Sequence, residues 1–159
     1  MAFLLNIFLL FLLSPMIQSY PTHMHFKFDC PSNIGIWCGN LIVYEEDYIE
    51  HDIMKNESFC GEGGLEFRYK IYSNGPFRTS GDGSQEYEFN YQIVHNCTSG
   101  EKEHLCIKPK KPKDVSVFVE SYIDFAANLF NAGDNIDRCG DPTSLKSKIE
   151  YWKEQFSFE

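Results

Sequence analysis

The chain has 159 residues and a formal net charge of -9 at pH 7. This acidic balance argues against nucleic acid and against general attraction to anionic membranes. Beyond the opening residues no stretch is apolar enough to span a bilayer, and the length suits a single domain, which we place at residues 20–140.

The opening residues, from Met1 to Leu13, are almost all apolar, and Pro15 and Ser19 follow closely. A membrane-spanning helix needs about 20 apolar residues. This run is shorter and meets a proline where it would have to continue. We therefore predict a signal peptide at residues 1–19 and a secreted, extracellular protein, with an uncleaved anchor as the alternative.

All six cysteines follow this leader, and an even number in an oxidising compartment predicts disulfide bonds. They are Cys30, Cys38, Cys60, Cys97, Cys106 and Cys139. Because the chain has no Cys-x-x-Cys pair, zinc binding is a less favoured role for these cysteines than disulfide formation. We expect neither a metal nor a cofactor. The sequence alone does not choose among the possible pairings.

Two triplets are acceptors for N-linked glycosylation: Asn56-Glu57-Ser58 and Asn96-Cys97-Thr98. Both agree with passage through a secretory pathway. The second has at its centre a cysteine that we expect to be bonded, which makes its use less certain than that of the first.

Short β-rich runs separated by turn residues fill the middle of the chain. The segment from Leu65 to Tyr72 alternates between apolar and polar positions, as a strand does when one face lies on a core and the other in water. Further strands are predicted at 34–37, 41–44, 77–80, 87–89, 91–94 and 115–119. This number of short strands favours an all-β fold, a two-sheet sandwich of immunoglobulin-like architecture.

Residues 141–159 have a different pattern. Leu145, Ile149, Trp152 and Phe156 follow one another at helical spacing behind the helix-start residues Asp141-Pro142-Thr143. We predict a C-terminal amphipathic helix that packs on the outside of the sandwich. A helix that contacts a partner or a membrane is the alternative.

The one local concentration of positive charge lies between two strands, and its members are Lys108, Lys110, Lys111 and Lys113. Pro109 and Pro112 keep this stretch out of a regular helix. A solvated loop is the simplest interpretation. On an acidic protein the loop is also our candidate binding site for a phosphate, a sulfated glycan or a lipid head group.

The sequence offers little for catalysis. It has no Gly-x-Ser-x-Gly elbow, and every cysteine has a plausible disulfide partner. His23 and His25 could face one metal ion from an extended segment, but a disordered N-terminal tail is the interpretation we favour. We therefore predict no enzymatic activity, and a secreted hydrolase that uses His95 or His104 is the least favoured hypothesis.

Four stretches in the middle of the chain resemble, in order and spacing, the transthyretin-like family of small secreted nematode proteins. The stretches are Ile36-Trp37-Cys38-Gly39-Asn40, Asn74-Gly75-Pro76-Phe77-Arg78-Thr79-Ser80-Gly81, Tyr91-Gln92-Ile93-Val94-His95-Asn96-Cys97 and Asn131-Ala132-Gly133-Asp134-Asn135-Ile136-Asp137-Arg138-Cys139. The resemblance covers roughly residues 30 to 140, and the helical tail is extra.

This resemblance implies a transthyretin-type β-sandwich that is secreted and binds a partner rather than catalysing a reaction. It also implies that Cys38, Cys97, Cys106 and Cys139 form a family framework, with an added bond between Cys30 and Cys60. The related hydrolases of urate breakdown carry a Tyr-Arg-Gly-Ser ending that this chain lacks.

The leading functional hypothesis is therefore an extracellular binding or signalling module whose ligand is a partner protein, an anionic lipid or a glycan. A carrier that holds an apolar ligand or lipid between the sheets is the alternative, suggested by the aromatic content of 16%.

Overall fold

A computed structural model of the chain describes residues 20–46, 51–72, 85–100 and 104–140. These residues contain nine strands, a 3-10 turn at Ser32–Ile34 and one short helix, α1, at Ile136–Cys139. The strands are β1 (Pro21–Asp29), β2 (Ile36–Glu45), β3 (Asp52–Glu62), β4 (Leu65–Tyr72), β5 (Glu86–His95), β6 (Leu105–Ile107), β7 (Lys113–Ser116), β8 (Ser121–Asn128) and β9 (Asp134–Asn135). The predicted signal peptide, the strand at 77–80 and the C-terminal helix lie outside the described residues.

The strands form two sheets, so the predicted all-β class is confirmed. In the small sheet, β1 lies between β4 and β8 and pairs antiparallel with β4 and parallel with β8. The large sheet has the order β3-β2-β5-β6-β9, and β7 pairs with β5 beyond the end of β6. Among the described residues no helix is long and apolar enough to cross a membrane.

Two predicted strand breaks are wrong. The strands predicted at 34–37 and 41–44 are not separate, because Gly39 and Asn40 between them pair within β2, opposite His95 and Val94 of β5. A Cβ atom at position 39 would lie 2.9 Å from the ring of Phe59, so a larger residue there would displace that ring. The two runs predicted around Asn90 likewise form one strand, β5.

The core between the sheets is built from aromatic rings. Phe26 of β1 stacks on Phe125 of β8 with ring centroids 4.9 Å apart, and its edge meets Tyr91 of β5 at 5.5 Å. At the other side of the core, Phe59 of β3 lies 4.5 Å from Phe67 of β4. Rings of the two sheets therefore touch one another directly, and such contacts stabilise a core beyond the burial of apolar area.

All six cysteines form disulfide bonds, as predicted, but the expected bond between Cys30 and Cys60 is wrong. The bonds are Cys30–Cys97, Cys38–Cys60 and Cys106–Cys139. Cys38 and Cys60 lie opposite each other across β2 and β3, with their Cα atoms 4.0 Å apart, so the strand register fixes their pairing. The end of the sheets at which β5 finishes carries the three bonds, and we call it the disulfide end.

Candidate binding surfaces

The lysine loop, residues 108–113, lies at the edge of the large sheet between β6 and β7. The structure separates its four lysines. Lys110 and Lys111 are exposed at the tip of the loop, whereas Lys108 is half-buried and Lys113 reaches the small sheet. The predicted site therefore divides into two anchoring lysines and two that remain available to a ligand.

Lys108 anchors one end of the loop on the outer face of the large sheet. Its Nζ atom lies 5.6 Å from the centroid of the Tyr44 ring. Burial lowers the pKa of Lys108, and the nearby Glu46 carboxylate opposes this shift. Beneath the loop, the buried Asn90 side chain donates from Nδ2 to Glu46 Oε2 at 2.9 Å and to the Pro109 carbonyl at 3.1 Å. These contacts fasten the base of the loop to β5.

Lys113 anchors the other end. Its Nζ atom donates a hydrogen bond to the main-chain carbonyl of Asp124 and lies 5.1 Å from the centroid of the Phe125 ring. Because Lys113 is on β7 and both partners are on β8, this side chain connects the large sheet to the small one.

The outer face of the small sheet carries the two histidines that we predicted to lie in a disordered N-terminal tail. That interpretation is wrong, since His23 and His25 lie on β1, the central strand. His23 Nε2 is 2.6 Å from Glu120 Oε1, and its ring stacks on Tyr122 at 4.7 Å. His23 contacts one carboxylate and His25 contacts two others, and the described part of the chain shows no group of three side chains that could hold a metal ion.

His25 makes two contacts. Its Nδ1 atom is 3.2 Å from Asp124 Oδ1 on β8, and its Nε2 atom is 3.1 Å from Glu66 Oε2 on β4. One imidazole therefore joins all three strands of the small sheet on its outer face.

An exposed apolar surface lies at the opposite end of the sheets from the disulfides. Its members come from the residue before β1, the last residue of β4, the turn before β8 and the second residue of β8: Tyr20, Tyr72, Phe118, Val119 and Tyr122. Tyr122 is 73% exposed. We call this surface the tyrosine face. Sequence reasoning missed it, although the alternation along β4 already places Tyr72 on the outward side.

The two glycosylation acceptors differ in their surroundings. Asn56 is exposed on the edge strand β3, where its Oδ1 atom accepts a hydrogen bond from Asn40 Nδ2 at 2.9 Å. Asn96 is half-buried, and its Oδ1 atom accepts from the Cys38 main-chain N–H at 2.7 Å. Its neighbour Cys97 is fully buried in the bond to Cys30.

The two histidines suggested for a hydrolase have unlike environments. His95 is fully buried, and its Nε2 atom lies 3.0 Å from the Ala132 carbonyl, which makes Nε2 the donor. Burial lowers the pKa of His95, and the neighbouring His104 lowers it further. His104 itself is exposed. The partner of His95 is thus a main-chain carbonyl rather than a nucleophile.

A family model described as "Caenorhabditis elegans protein of unknown function (DUF870)" matches residues 25–142, more than half of the chain. The matched range begins inside β1 and runs past α1, so it includes both sheets. No curated protein and no solved structure matches the chain. The match supports a nematode family, as the resemblance implied, but not the transthyretin-like name.

Proposed function

The chain belongs to the Caenorhabditis elegans family DUF870, and we propose that this member is an extracellular binding module without catalytic activity that contacts a partner protein through its tyrosine face. The three disulfide bonds are consistent with an extracellular location. A transthyretin-type relationship of the sandwich is part of the proposal, supported by the two sheets and by the order of the four similar stretches.

The observation that carries the proposal is the clustering of exposed aromatic and apolar side chains at one end of the molecule. Single exposed apolar residues are common on protein surfaces, whereas groups of them mark interaction sites. Tyrosine in particular is enriched at the centres of protein interfaces, because its ring supplies contact area and its hydroxyl group a hydrogen bond.

The charges beside the tyrosine face favour a protein over an anionic membrane. Lys70 lies with its Nζ atom 5.3 Å from the centroid of the Tyr72 ring. Glu120 and Asp124 flank the same surface from the side of β8. Because both signs of charge are present, a partner protein can form complementary pairs, while a negatively charged bilayer would meet carboxylates as well as ammonium groups.

The structure gives less support to a carrier of apolar ligands. The rings that meet across the core, among them Phe26, Tyr91 and Phe125, occupy the space between the sheets that such a ligand would need. Many of the aromatic residues that suggested a carrier thus pack against one another in the core.

One observation favours a second candidate function, the binding of an anionic lipid head group or sulfated glycan. Lys108 and Lys113 fix the two ends of the lysine loop, so Lys110 and Lys111 project from a loop that is already held in place. Fixing a loop before binding lowers the entropy cost of association. The electrostatic attraction of only two ammonium groups for an anionic ligand is small, and this function therefore comes second.

Residues 20–159, secreted from a eukaryotic host, would be tested against a panel of nematode extracellular domains by surface plasmon resonance. We expect saturable binding to at least one domain and a loss of about thirtyfold or more in affinity for Tyr72→Ser combined with Tyr122→Ser. The matched control is Lys110→Glu combined with Lys111→Glu. Binding that survives the tyrosine changes and is lost in the lysine variant would overturn the proposal in favour of the lysine loop.

A further inference from the structure

We propose that the outer edge of β4 is a second interaction surface and that its partner is a second copy of this chain. In the proposed dimer the two β4 strands run antiparallel, with Phe67 opposite Phe67, and the two small sheets, each of three strands, join into one continuous sheet. The inference goes beyond the proposed function, because it names another surface and another partner.

The other edges of the two sheets are protected or short. An exposed edge strand can pair with another chain, and natural proteins prevent this with inward-pointing charges or by occupying the edge. On β3 the ion pair of Lys55 and Glu57 points toward the small sheet, where Glu57 accepts a hydrogen bond from Tyr69 at 3.0 Å. On β8 the carbonyl of Asp124 already accepts from Lys113. The strands β7 and β9 have only four and two residues.

The edge of β4 differs from these edges. Its eight residues pair with β1 on one side, and among the described strands no other lies on the far side. The inward positions are all apolar or aromatic, and three of them, Leu65, Phe67 and Tyr69, are only half-buried. A second copy that extends the small sheet would therefore cover apolar area that a single copy leaves in water, which favours association.

The outward charges of β4 make the strand complementary to itself. In a continuous sheet, residues directly opposite each other point to the same face, so inward residues must face inward ones across the new pair. With Phe67 opposite Phe67, Glu66 faces Arg68 of the second copy twice. Opposite charges at such positions stabilise antiparallel pairs. Arg68 is exposed, and its Nη2 atom is 4.0 Å from Glu66 of its own strand, so it can reach the second copy.

The same charges disfavour the neighbouring registers. A shift of the pairing by two residues in one direction places Arg68 opposite Arg68, and a shift in the other direction places Glu66 opposite Glu66. A further shift brings Arg68 opposite Lys70. Like charges directly opposite each other destabilise a strand pair. The register centred on Phe67 is thus the one in which only opposite charges meet.

The proposed dimer leaves the tyrosine face accessible. In this register Leu65 of one copy faces Tyr69 of the other, so the paired segment runs from Leu65 to Tyr69 and Tyr72 lies beyond it. The antiparallel arrangement also places the two tyrosine faces at opposite ends of the dimer. Because the paired segment is short, the interface is small and the association weak, with a Kd of about 10–100 μM.

The first test measures self-association of residues 20–159 by sedimentation velocity at concentrations up to about 500 μM. We expect a reversible equilibrium between monomer and dimer. Glu66→Arg and Arg68→Glu, each alone, place like charges opposite each other twice and should weaken the dimer about tenfold or more. Lys70→Glu is the matched control, because it reverses a charge on the same strand outside the paired segment, and it should change the affinity less than about twofold.

Mixing the two charge-reversed proteins provides the sharpest result. In a heterodimer of Glu66→Arg with Arg68→Glu, both opposing pairs again have opposite signs. Native mass spectrometry of an equimolar mixture should therefore show the heterodimer with nearly the affinity of the unmodified dimer, while neither variant pairs with itself. A mixture that stays monomeric, or a dimer that is lost in Lys70→Glu and kept in Arg68→Glu, would overturn the proposed pairing.

A second measurement needs no variant and covers the case in which a charge reversal prevents folding. Hydrogen exchange of the unmodified protein should show amides between Leu65 and Tyr69 that gain protection as the concentration rises, while those of β3 and β8 do not. Protection that is independent of concentration up to about 500 μM would overturn the proposal. Tyr72→Ser combined with Tyr122→Ser should dimerise normally, so loss of partner binding in that variant bears on the tyrosine face alone.

Discussion

Outward-facing side chains of the small sheet lie in solvent, whereas several at the centre of the large sheet are buried. On the small sheet, Tyr122 and Asp124 of β8 are exposed. On the large sheet, Tyr44 and Asn90 are 0% exposed and Gln92 is 4% exposed, although all three point away from the aromatic core. Both faces come from strands with alternating side chains, but at the centre of the large sheet the outward side chains are shielded from water.

The buried outer positions have a common use. Asn90 donates to Glu46 and to the Pro109 carbonyl, and its Oδ1 atom accepts the Tyr91 main-chain N–H at 2.8 Å. Gln92 donates from Nε2 to the Gly140 carbonyl at 3.0 Å, just after α1. The amides of the large sheet thus hold neighbouring segments against it. On the small sheet, His23 and His25 instead pair with carboxylates of the same face, and these carboxylates remain partly exposed.

The largest expected effect on stability comes from removing a buried side-chain amide of the large sheet. Asn90→Ala should lower the free energy of unfolding by about 1–3 kcal/mol, because the half-buried Glu46 carboxylate and Pro109 carbonyl lose their donor. On the small sheet, Arg68→Ala removes a side chain that is 79% exposed and should cost less than about 0.5 kcal/mol. Urea unfolding measures both. Similar costs for the two changes would show that the faces do not differ as described.

A smaller effect distinguishes the two glycosylation acceptors, both of which belong to the large-sheet side. Asn56 is expected to carry a glycan and Asn96 not, so Asn56→Gln should remove one glycan mass from the secreted protein and Asn96→Gln none. Asn96→Gln should instead lower stability by about 1 kcal/mol, since the Cys38 N–H loses its acceptor. Glycopeptide mass spectrometry and urea unfolding give the two readouts. A glycan on Asn96 would contradict the assigned structural role.

Sequence patterns located strands best where one face meets water. The strand from Leu65 to Tyr72 is confirmed as β4 with its predicted bounds. β1 was missed although its apolar residues Met24, Phe26 and Phe28 alternate with polar ones, because the segment lies close to the leader and was interpreted as a tail. β3 was missed because an edge strand buries few of its residues and so shows only a weak apolar pattern.

The candidate surfaces depend on contacts between distant parts of the chain, which local patterns do not encode. The lysine loop was visible as a run of charge, but nothing near Lys108 in sequence indicates that it lies over Tyr44. Tyr72 and Tyr122 likewise reach one surface only because β4 and β8 both pair with β1. The pairing of Cys38 with Cys60, too, follows from strand register rather than from spacing.

The smallest predicted effect tests whether Lys108 belongs with the buried groups of the large sheet. Burial lowers its pKa, so between that lowered value and the ordinary value for lysine the unfolded chain binds more protons than the folded one. Stability then rises with pH across this range. Lys108→Met removes the titrating group and should abolish the part of this increase in stability that Lys108 causes.

At neutral pH the same change should leave stability unchanged or raise it by up to about 1 kcal/mol, because the desolvation of the ammonium group outweighs its attraction to Glu46. Lys110→Met, at the exposed tip of the loop, should leave the stability at neutral pH unchanged. Urea unfolding of the three proteins between pH 7 and pH 10 measures these differences. If Lys108→Met kept the full alkaline rise, Lys108 would behave as a solvated side chain. The contrast between the anchored and the exposed lysines of the loop would then disappear.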